Sequence, residues 1–303
     1  MDDVLVIGGG PAGAACALWL HQLGLRALLL EADSEIGGLQ RRSPYANQWL
    51  PGVQGRTGQE VAANLHAHLL AAAVPHQADF NVVSIRRGAA AGSWEVSSAS
   101  TTHRARHVVL ATGSKPRRAG FEESDEVGIG PGMSIERIDV RGKRVAVLGG
   151  GDNAFFTATR SLLRGARGVD LFCRHAPRAQ PILRRELPSR CVHVGPFEAD
   201  QRSMTVDAER YDVISVQFGF EACVPGGMRL PLCEGYIEVD RRGAIPGFPG
   251  LFAAGEVTKF WHPCVTTAYA HGVQVAKSIQ YEVLAGPAGP AASAGARPAP
   301  SVA

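Results

Sequence analysis

Short unbroken apolar runs that stop on glycine set the frame of this chain. Val4-Leu5-Val6-Ile7 enters Gly8-Gly9-Gly10-Pro11-Ala12-Gly13, and Val145-Ala146-Val147-Leu148 enters Gly149-Gly150-Gly151-Asp152-Asn153-Ala154. A run with no polar alternation, bounded by glycine, is the pattern of a strand buried on both faces of a parallel sheet. Helical stretches follow both turns, over 14–22 and 153–164. Further strands are predicted at 27–30, 81–85, 94–96, 108–110, 169–173 and 251–256, and further helices at 58–73 and 266–281. Residues 115–132, rich in Gly, Pro and charge, read as a linker with little structure of its own. The expected fold class is α/β, with two Rossmann-like three-layer dinucleotide-binding domains, the second inserted into the first. The first takes 1–117 and 246–285 and the second 118–245. Residues 286–303, almost entirely Gly, Ala, Pro and Ser, form a disordered tail.

A chain of 303 residues with 45% hydrophobic content has room for two such cores. Its 31 basic and 28 acidic residues leave a net charge of +3, too balanced for bulk nucleic-acid binding. No apolar run reaches membrane-spanning length and Met1-Asp2-Asp3 is acidic, so the expected protein is soluble and cytoplasmic, with no membrane partner. The six cysteines are scattered and suit neither a disulfide framework nor a metal site; they read as reduced thiols, mostly small core residues.

The first turn has the residues that a dinucleotide needs. Gly8 permits the tight turn, Gly10 the close approach of a pyrophosphate, and Gly13 the packing of helix on strand, while helix N-terminal N–H groups face the phosphates. Glu31 ends the next strand, 23 residues after Gly8, where its carboxylate can accept both hydroxyls of an unphosphorylated ribose. FAD or NAD satisfies it and NADP is repelled. At the corresponding place in the second unit stands Arg174, 25 residues after Gly149, with Arg178 four further on. A cation there pairs with a ribose 2′-phosphate and favours NADPH over NADH; the alternative is a solvated basic loop. His175 is a third donor if protonated. Two dinucleotides in one chain imply an electron carrier beside its donor.

Together with Gly37-Gly38-Leu39-Gln40, Trp49-Leu50-Pro51-Gly52, Ala111-Thr112-Gly113 and the stretch from Leu251 to Val257, these turns make the chain resemble the low-molecular-weight thioredoxin reductases, flavoproteins of the pyridine nucleotide-disulfide oxidoreductase superfamily. The resemblance runs to Tyr281. It implies FAD in the first domain, NADPH in the second, rotation of the second toward the flavin, and a homodimer. The FAD residues it implies are Gly8, Gly10, Pro11, Ala12, Gly13, Glu31, Gly38, Gln40, Ala111, Thr112, Gly113, Gly255, Glu256, Val265 and Thr266. Those for NADPH are Gly149, Gly151, Asn153, Ala154, Arg174 and Arg178.

The departures from that family are informative. The slot of its Cys-x-x-Cys pair reads Gly132-Met133-Ser134-Ile135, so the family's electron relay to thioredoxin is missing. Glu256 replaces an aspartate at the ribityl chain, Phe156 and Thr157 replace acidic residues after the second turn, and His175 replaces the second of two arginines. Between the last strand and the last helix, Trp261-His262-Pro263-Cys264-Val265-Thr266 is the most distinctive stretch. Cys264, before a helix N-terminus, reads either as a thiolate-prone partner of the flavin or as a small buried residue. His262 reads as a proton donor or a packing histidine, and Phe260 or Trp261 as a ring-stacking or core residue. The basic stretch 184–190 reads as a solvated loop in preference to a surface that recruits an acidic partner.

The expected function is an FAD-dependent NADPH oxidoreductase that passes electrons directly to its acceptor, a small disulfide, a quinone-like molecule or a partner protein. Ferredoxin reductases of this group carry a C-terminal aromatic over the flavin, and nothing aromatic follows Tyr281 here. Reductases of low-molecular-weight disulfides also lack the pair, which keeps Cys264 in view. A non-catalytic or differently reduced FAD-binding protein is the first alternative, and a flavin monooxygenase the second.

Overall fold

The apolar runs become the centres of two parallel sheets. The computed structural model describes residues 2–259 and 262–285. In the first unit β1 (Asp2–Ile7) leads to α1 (Pro11–Gln22), β2 (Ala27–Leu30), α2 (Gly58–Ala71), β3 (His76–Gln77), β4 (Ser84–Arg87), β5 (Trp94–Ser97) and β6 (Thr102–Leu110). The order across the sheet is β3-β2-β1-β6-β5-β4. β3, β2, β1 and β6 run parallel, whereas β5 and β4 are an antiparallel extension. The strand Leu251–Ala253 returns from far along the chain and joins the second half of β6 in parallel, with Ala253 opposite Leu110. Everything between is inserted.

That insertion holds β7 (Ser114–Pro116), β8 (Val127–Ile129), α3 (Met133–Glu136), β9 (Arg144–Leu148), α4 (Asp152–Leu163), β10 (Gly168–Cys173), α5 (Pro181–Glu186) and β11 (Val192–Val194). Its five-stranded sheet runs β11-β10-β9, then the strand Val213–Val216, then β8, all parallel. β7 pairs antiparallel with Phe220–Ala222, so two short strands carry the chain out of the first sheet and back toward it.

Each central strand feeds a core on both faces. Val4 and Val6 of β1 pack with Ala14, Ala17 and Leu20 of α1 and with Val275 and Ile279 of α6 (Val265–Ala285). Leu5 and Ile7 point the other way, toward Trp94, Val96 and Leu110. β9 repeats the arrangement: Val145 and Val147 meet Ala154, Phe155 and Ala158 of α4, and Ala146 and Leu148 meet Phe172 and Tyr211. Burial on both faces is why these runs are apolar throughout. Small residues set the spacing of α1 and α6, since a Cβ on Gly272 would lie 2.1 Å from the carbonyl oxygen of Ala12.

Several sequence expectations are corrected. The 115–132 linker contains both β7 and β8, because pairing to strands far along the chain supplies order that local composition lacks. The strand expected at 81–85 lies at Ser84–Arg87, in register with β5. The strand expected at 251–256 ends at Ala253, and a single turn of 3-10 helix covers Gly255–Val257. Only Cys16 and Cys173 are buried; the other four cysteines are partly exposed. The tail reading for 286–303 and the roles considered for Phe260 and Trp261 lie outside the described residues.

Candidate functional site

Parallel strands end on the same edge of a sheet, and in the first unit four chain segments gather there. Gly8 follows β1, Glu31 follows β2, Ala111 follows β6 and Ala254 follows the last strand, bonded through its N–H to the carbonyl of Leu110. Gly8 adopts φ +102°, and a Cβ there would lie 2.4 Å from the Ala111 carbonyl oxygen. On Gly13 it would lie 1.9 Å from the carbonyl of Gly8. These two glycines let backbone touch backbone.

Gly10 is different. Its φ of −66° suits any residue, and the nearest atom to an added Cβ is the Cα of Gly38 at 3.9 Å. It precedes α1 with no side-chain cap, as Gly151 does α4, whereas Thr57 and Glu60 cap α2 reciprocally. Two helix N-termini therefore retain orphan N–H groups behind open glycine, an arrangement that fits a pyrophosphate at each turn. Gly38, at φ +56°, faces Gly10, and the side chain of Gln40 accepts from Asn47 Nδ2 at 3.2 Å. Pro11 and Ala12 form the first helical residues of α1.

The Glu31 carboxylate is buried at the turn. One oxygen accepts the N–H of Gly9 and the other that of Asp33 at 2.8 Å. Beside it, Asp33, Ser34, Arg41 and Arg42 line a cavity of about 250 Å³.

Farther along the edge, the Thr112 hydroxyl donates to the carbonyl of Cys223 at 2.6 Å, and the N–H of Cys223 donates to Gly113. Ser114 donates to Glu256 Oε2 at 2.6 Å, so the longer carboxylate at 256 reaches the first residue of β7. Gly255, at φ +77°, sits against Ala12 and donates its N–H to Nδ1 of His271 at 3.1 Å. Burial pushes the His271 pKa down to about 4, so its ring is neutral and can accept. Ser114 and His271 carry no motif signal and are found only through these contacts.

At the start of α6, Cys264 is partly exposed and Thr266 exposed. The Thr267 hydroxyl contacts Cys264 Sγ at 3.4 Å and the carbonyls of Cys264 and His262 at 3.0 and 3.1 Å. Partial burial raises the pKa of the Cys264 thiol; hydrogen bonds from Thr267 and from the Thr266 amide outweigh it, and the thiol lies below its ordinary value. His262 is exposed. Val265 opens the helix, next to Cys264.

The second turn copies the first. Gly149, at φ +149°, donates its N–H to Phe172, and a Cβ on it would lie 2.3 Å from the Gln217 carbonyl. Ala154, at the place of Gly13, is fully buried, and Asn153 lies in the first turn of α4. Arg174 and Arg178 are exposed at the end of β10 and just beyond it, with the Arg174 guanidinium 5.4 Å from the ring of Phe197. No carboxylate pairs with either arginine among the described residues.

The two units meet beside these turns. Tyr45 of the first unit donates to Glu136 Oε1 at 3.1 Å and packs edge-on against Phe156 of α4, ring centroids 4.8 Å apart. Arg160 binds Glu136 at 2.6 Å and lies 5.4 Å from the Tyr45 ring. Phe156, where the family has an acid, thus has a packing partner; the buried Thr157 hydroxyl has no hydrogen-bond partner among the described residues. In the slot of the missing cysteine pair, Ser134 donates to Glu123 Oε1 and accepts the N–H of Ile129, both at 2.6 Å.

The pyridine nucleotide-disulphide oxidoreductase family matches residues 2–179. A ferredoxin–NADP reductase of Limosilactobacillus fermentum is 35% identical, over 84% of this chain and 85% of the relative. A thioredoxin reductase of Mycolicibacterium smegmatis is 28% identical over 90% of this chain and 93% of the relative. The crystal structure of Lactococcus lactis thioredoxin reductase in its FR conformation superposes with a TM-score of 0.80 at 20% identity, covering 94% of this chain and all of that one.

Proposed function

The chain belongs to the pyridine nucleotide-disulphide oxidoreductase family, and from that membership we propose that it passes electrons from NADPH through FAD directly to an acceptor, without a cysteine relay. It is an oxidoreductase, and its cofactors are FAD and NADPH. The observation that carries the direct route is the slot 132–135, which has no cysteine and whose Ser134 hydroxyl is already engaged by Glu123 and Ile129. No two cysteines of the chain stand in Cys-x-x-Cys spacing.

In this reading residues 1–117 and 246–285 hold FAD, and 118–245 hold NADPH. Bound FAD supplies two-electron acceptance from NADPH and onward donation. The protein binds and orients. Orphan N–H groups at α1 hold one pyrophosphate, Gly10 and Gly38 leave room for it, and Glu31 accepts the ribose hydroxyls. Gln40, Thr112, Glu256 and the start of α6 line the flavin end, and Glu256 links that end to β7 through Ser114. The α4 N-terminus holds the second pyrophosphate, and Arg174 with Arg178 takes the 2′-phosphate. The acceptor belongs to one of three classes: a small disulfide, a quinone-like molecule or a one-electron partner protein. The protein is further assigned to the cytoplasm as a homodimer, which cell fractionation and light scattering check.

Anaerobic stopped-flow mixing of the FAD-loaded protein with NADPH tests the proposal. The oxidised flavin band should bleach, faster with NADPH than with NADH. Absence of bleaching with either nucleotide would overturn it. Turnover with a member of one of the three acceptor classes, but not with thioredoxin, is the second expected result.

A further inference from the structure

We propose that Asp152 is a positioning residue for 2′-phosphate selectivity, because it staples the loop bearing Arg174 and Arg178 to the second glycine turn. The inference rests on the NADPH reading of that turn.

Comparing the two turns isolates the role. After β2 in the first unit, the loop is tied back by Glu31, which accepts the N–H of Gly9, and by the carbonyl of Gly9, which accepts the N–H of Gly37 at 2.9 Å. The second unit has Arg174 in place of Glu31, and a guanidinium accepts no hydrogen bond. One tie survives: the carbonyl of Gly150 accepts the N–H groups of Arg178 at 2.8 Å and Ala179 at 3.1 Å. The other moves to Asp152. Its Oδ1 accepts the Gln180 N–H at 2.7 Å and its Oδ2 accepts Gln180 Nε2 at 3.0 Å.

The geometry leaves little slack. The loop leaves β10 at Cys173 and is pinned at 178–180, so the stretch between is held at both ends against one turn. A Cβ on Gly150 would lie 3.0 Å from that of Cys173, which keeps the turn close to the end of β10. Asp152 is the first residue of α4, where the helix dipole favours a carboxylate, and both of its oxygens are directed to Gln180. A cation held in place recognises a phosphate better than one that must first be ordered.

Charge alone makes the opposite prediction. A carboxylate near the nucleotide repels the extra phosphate of NADPH, so its removal should raise the preference for NADPH over NADH. Loss of positioning should lower it.

The test is anaerobic calorimetric titration of the FAD-loaded protein, its flavin first reduced with dithionite so that no hydride transfer follows binding, with NADPH, NADH and 2′,5′-ADP for wild type, Asp152→Ala, Asp152→Asn, Gln180→Ala and Arg174→Ala, with FAD content and thermal melting confirming the fold. The expected result is a roughly tenfold fall in the NADPH-to-NADH affinity ratio in Asp152→Ala, with NADH binding within about twofold of wild type. Binding of 2′,5′-ADP should weaken in parallel. Asp152→Asn, which keeps one acceptor for the Gln180 N–H, should retain most of the ratio, and Gln180→Ala should lie between. A ratio unchanged or raised in Asp152→Ala, while Arg174→Ala abolishes it, overturns the staple and leaves the NADPH reading standing. If Asp152→Ala does not fold, an unchanged ratio in Gln180→Ala overturns the staple. A wild type without preference for NADPH overturns that reading and the staple with it.

Discussion

Gly10 and Gly13 lie three residues apart in one motif, yet the structure separates their roles by a measurable amount. A Cβ on Gly13 would lie 1.9 Å from the Gly8 carbonyl and 3.1 Å from the Ala111 side chain, so alanine there forces α1 away from the sheet. Overpacking of backbone on backbone costs about 3 kcal/mol or more. On Gly10 the same methyl meets nothing closer than 3.9 Å and the backbone angle is ordinary. The fold then loses only what alanine costs at a helix N-cap, about 0.5–1 kcal/mol. Gly10 directly precedes the orphan N–H groups of α1, so in the proposed FAD site the added methyl crowds the pyrophosphate that must approach them. Gly10→Ala should therefore give a folded apoprotein with FAD affinity lower by tenfold or more, about 1.4 kcal/mol, and Gly10→Val should bind more weakly still. Urea denaturation of the apoproteins gives the first quantity, and fluorescence titration with FAD the second. Wild-type FAD affinity in Gly10→Ala, or a loss of stability as large as that of Gly13→Ala, would refute the assignment.

Three further predictions test other contacts. The neutral His271 ring accepts from Gly255, and its pKa is held near 4 against an ordinary 6.5. The unfolded chain then binds the extra proton more readily, so this contribution is whole above pH 6.5 and lost as pH falls toward 4. Melting temperatures of His271→Gln should decline less than those of wild type across that window, and parallel curves would refute the contribution. At the junction of the units, Tyr45→Phe removes one hydrogen bond and should cost about 1 kcal/mol, whereas Glu136→Ala leaves Tyr45, Arg160 and Arg164 without their shared carboxylate and should cost about 2 kcal/mol. Chemical denaturation ranks the two, and the reverse order would contradict the network. Alkylation of Cys264 should show a midpoint below the ordinary thiol value of 9.0, and Thr267→Ala should raise it; an unchanged midpoint would show that Thr267 does not set it.

The parts of the fold readable in advance were those with a local cause. Strands buried on both faces must be apolar throughout, and a chain that turns against a neighbouring strand end must place glycine there, as Gly8 and Gly149 do. That no two cysteines stand in Cys-x-x-Cys spacing is likewise a local property of the sequence. Contacts across long separations left no such mark: β7 and β8 hide in a segment of linker composition because their partners, Phe220–Ala222 and Val213–Val216, lie roughly a hundred residues further on.

Sequence by itself thus determined an α/β chain with two glycine turns, a carboxylate after one and a cation after the other, because periodicity, turn residues and charge at a strand end are local properties. Only the tertiary structure decided that Gly10 faces open space while Gly13 faces backbone, that Glu256 reaches Ser114, that Asp152 ties down the arginine loop, and that Tyr45 meets Glu136 across 91 positions. Those outcomes depend on which surfaces the packed sheets bring within hydrogen-bond reach, a property of the assembled core that no single segment carries.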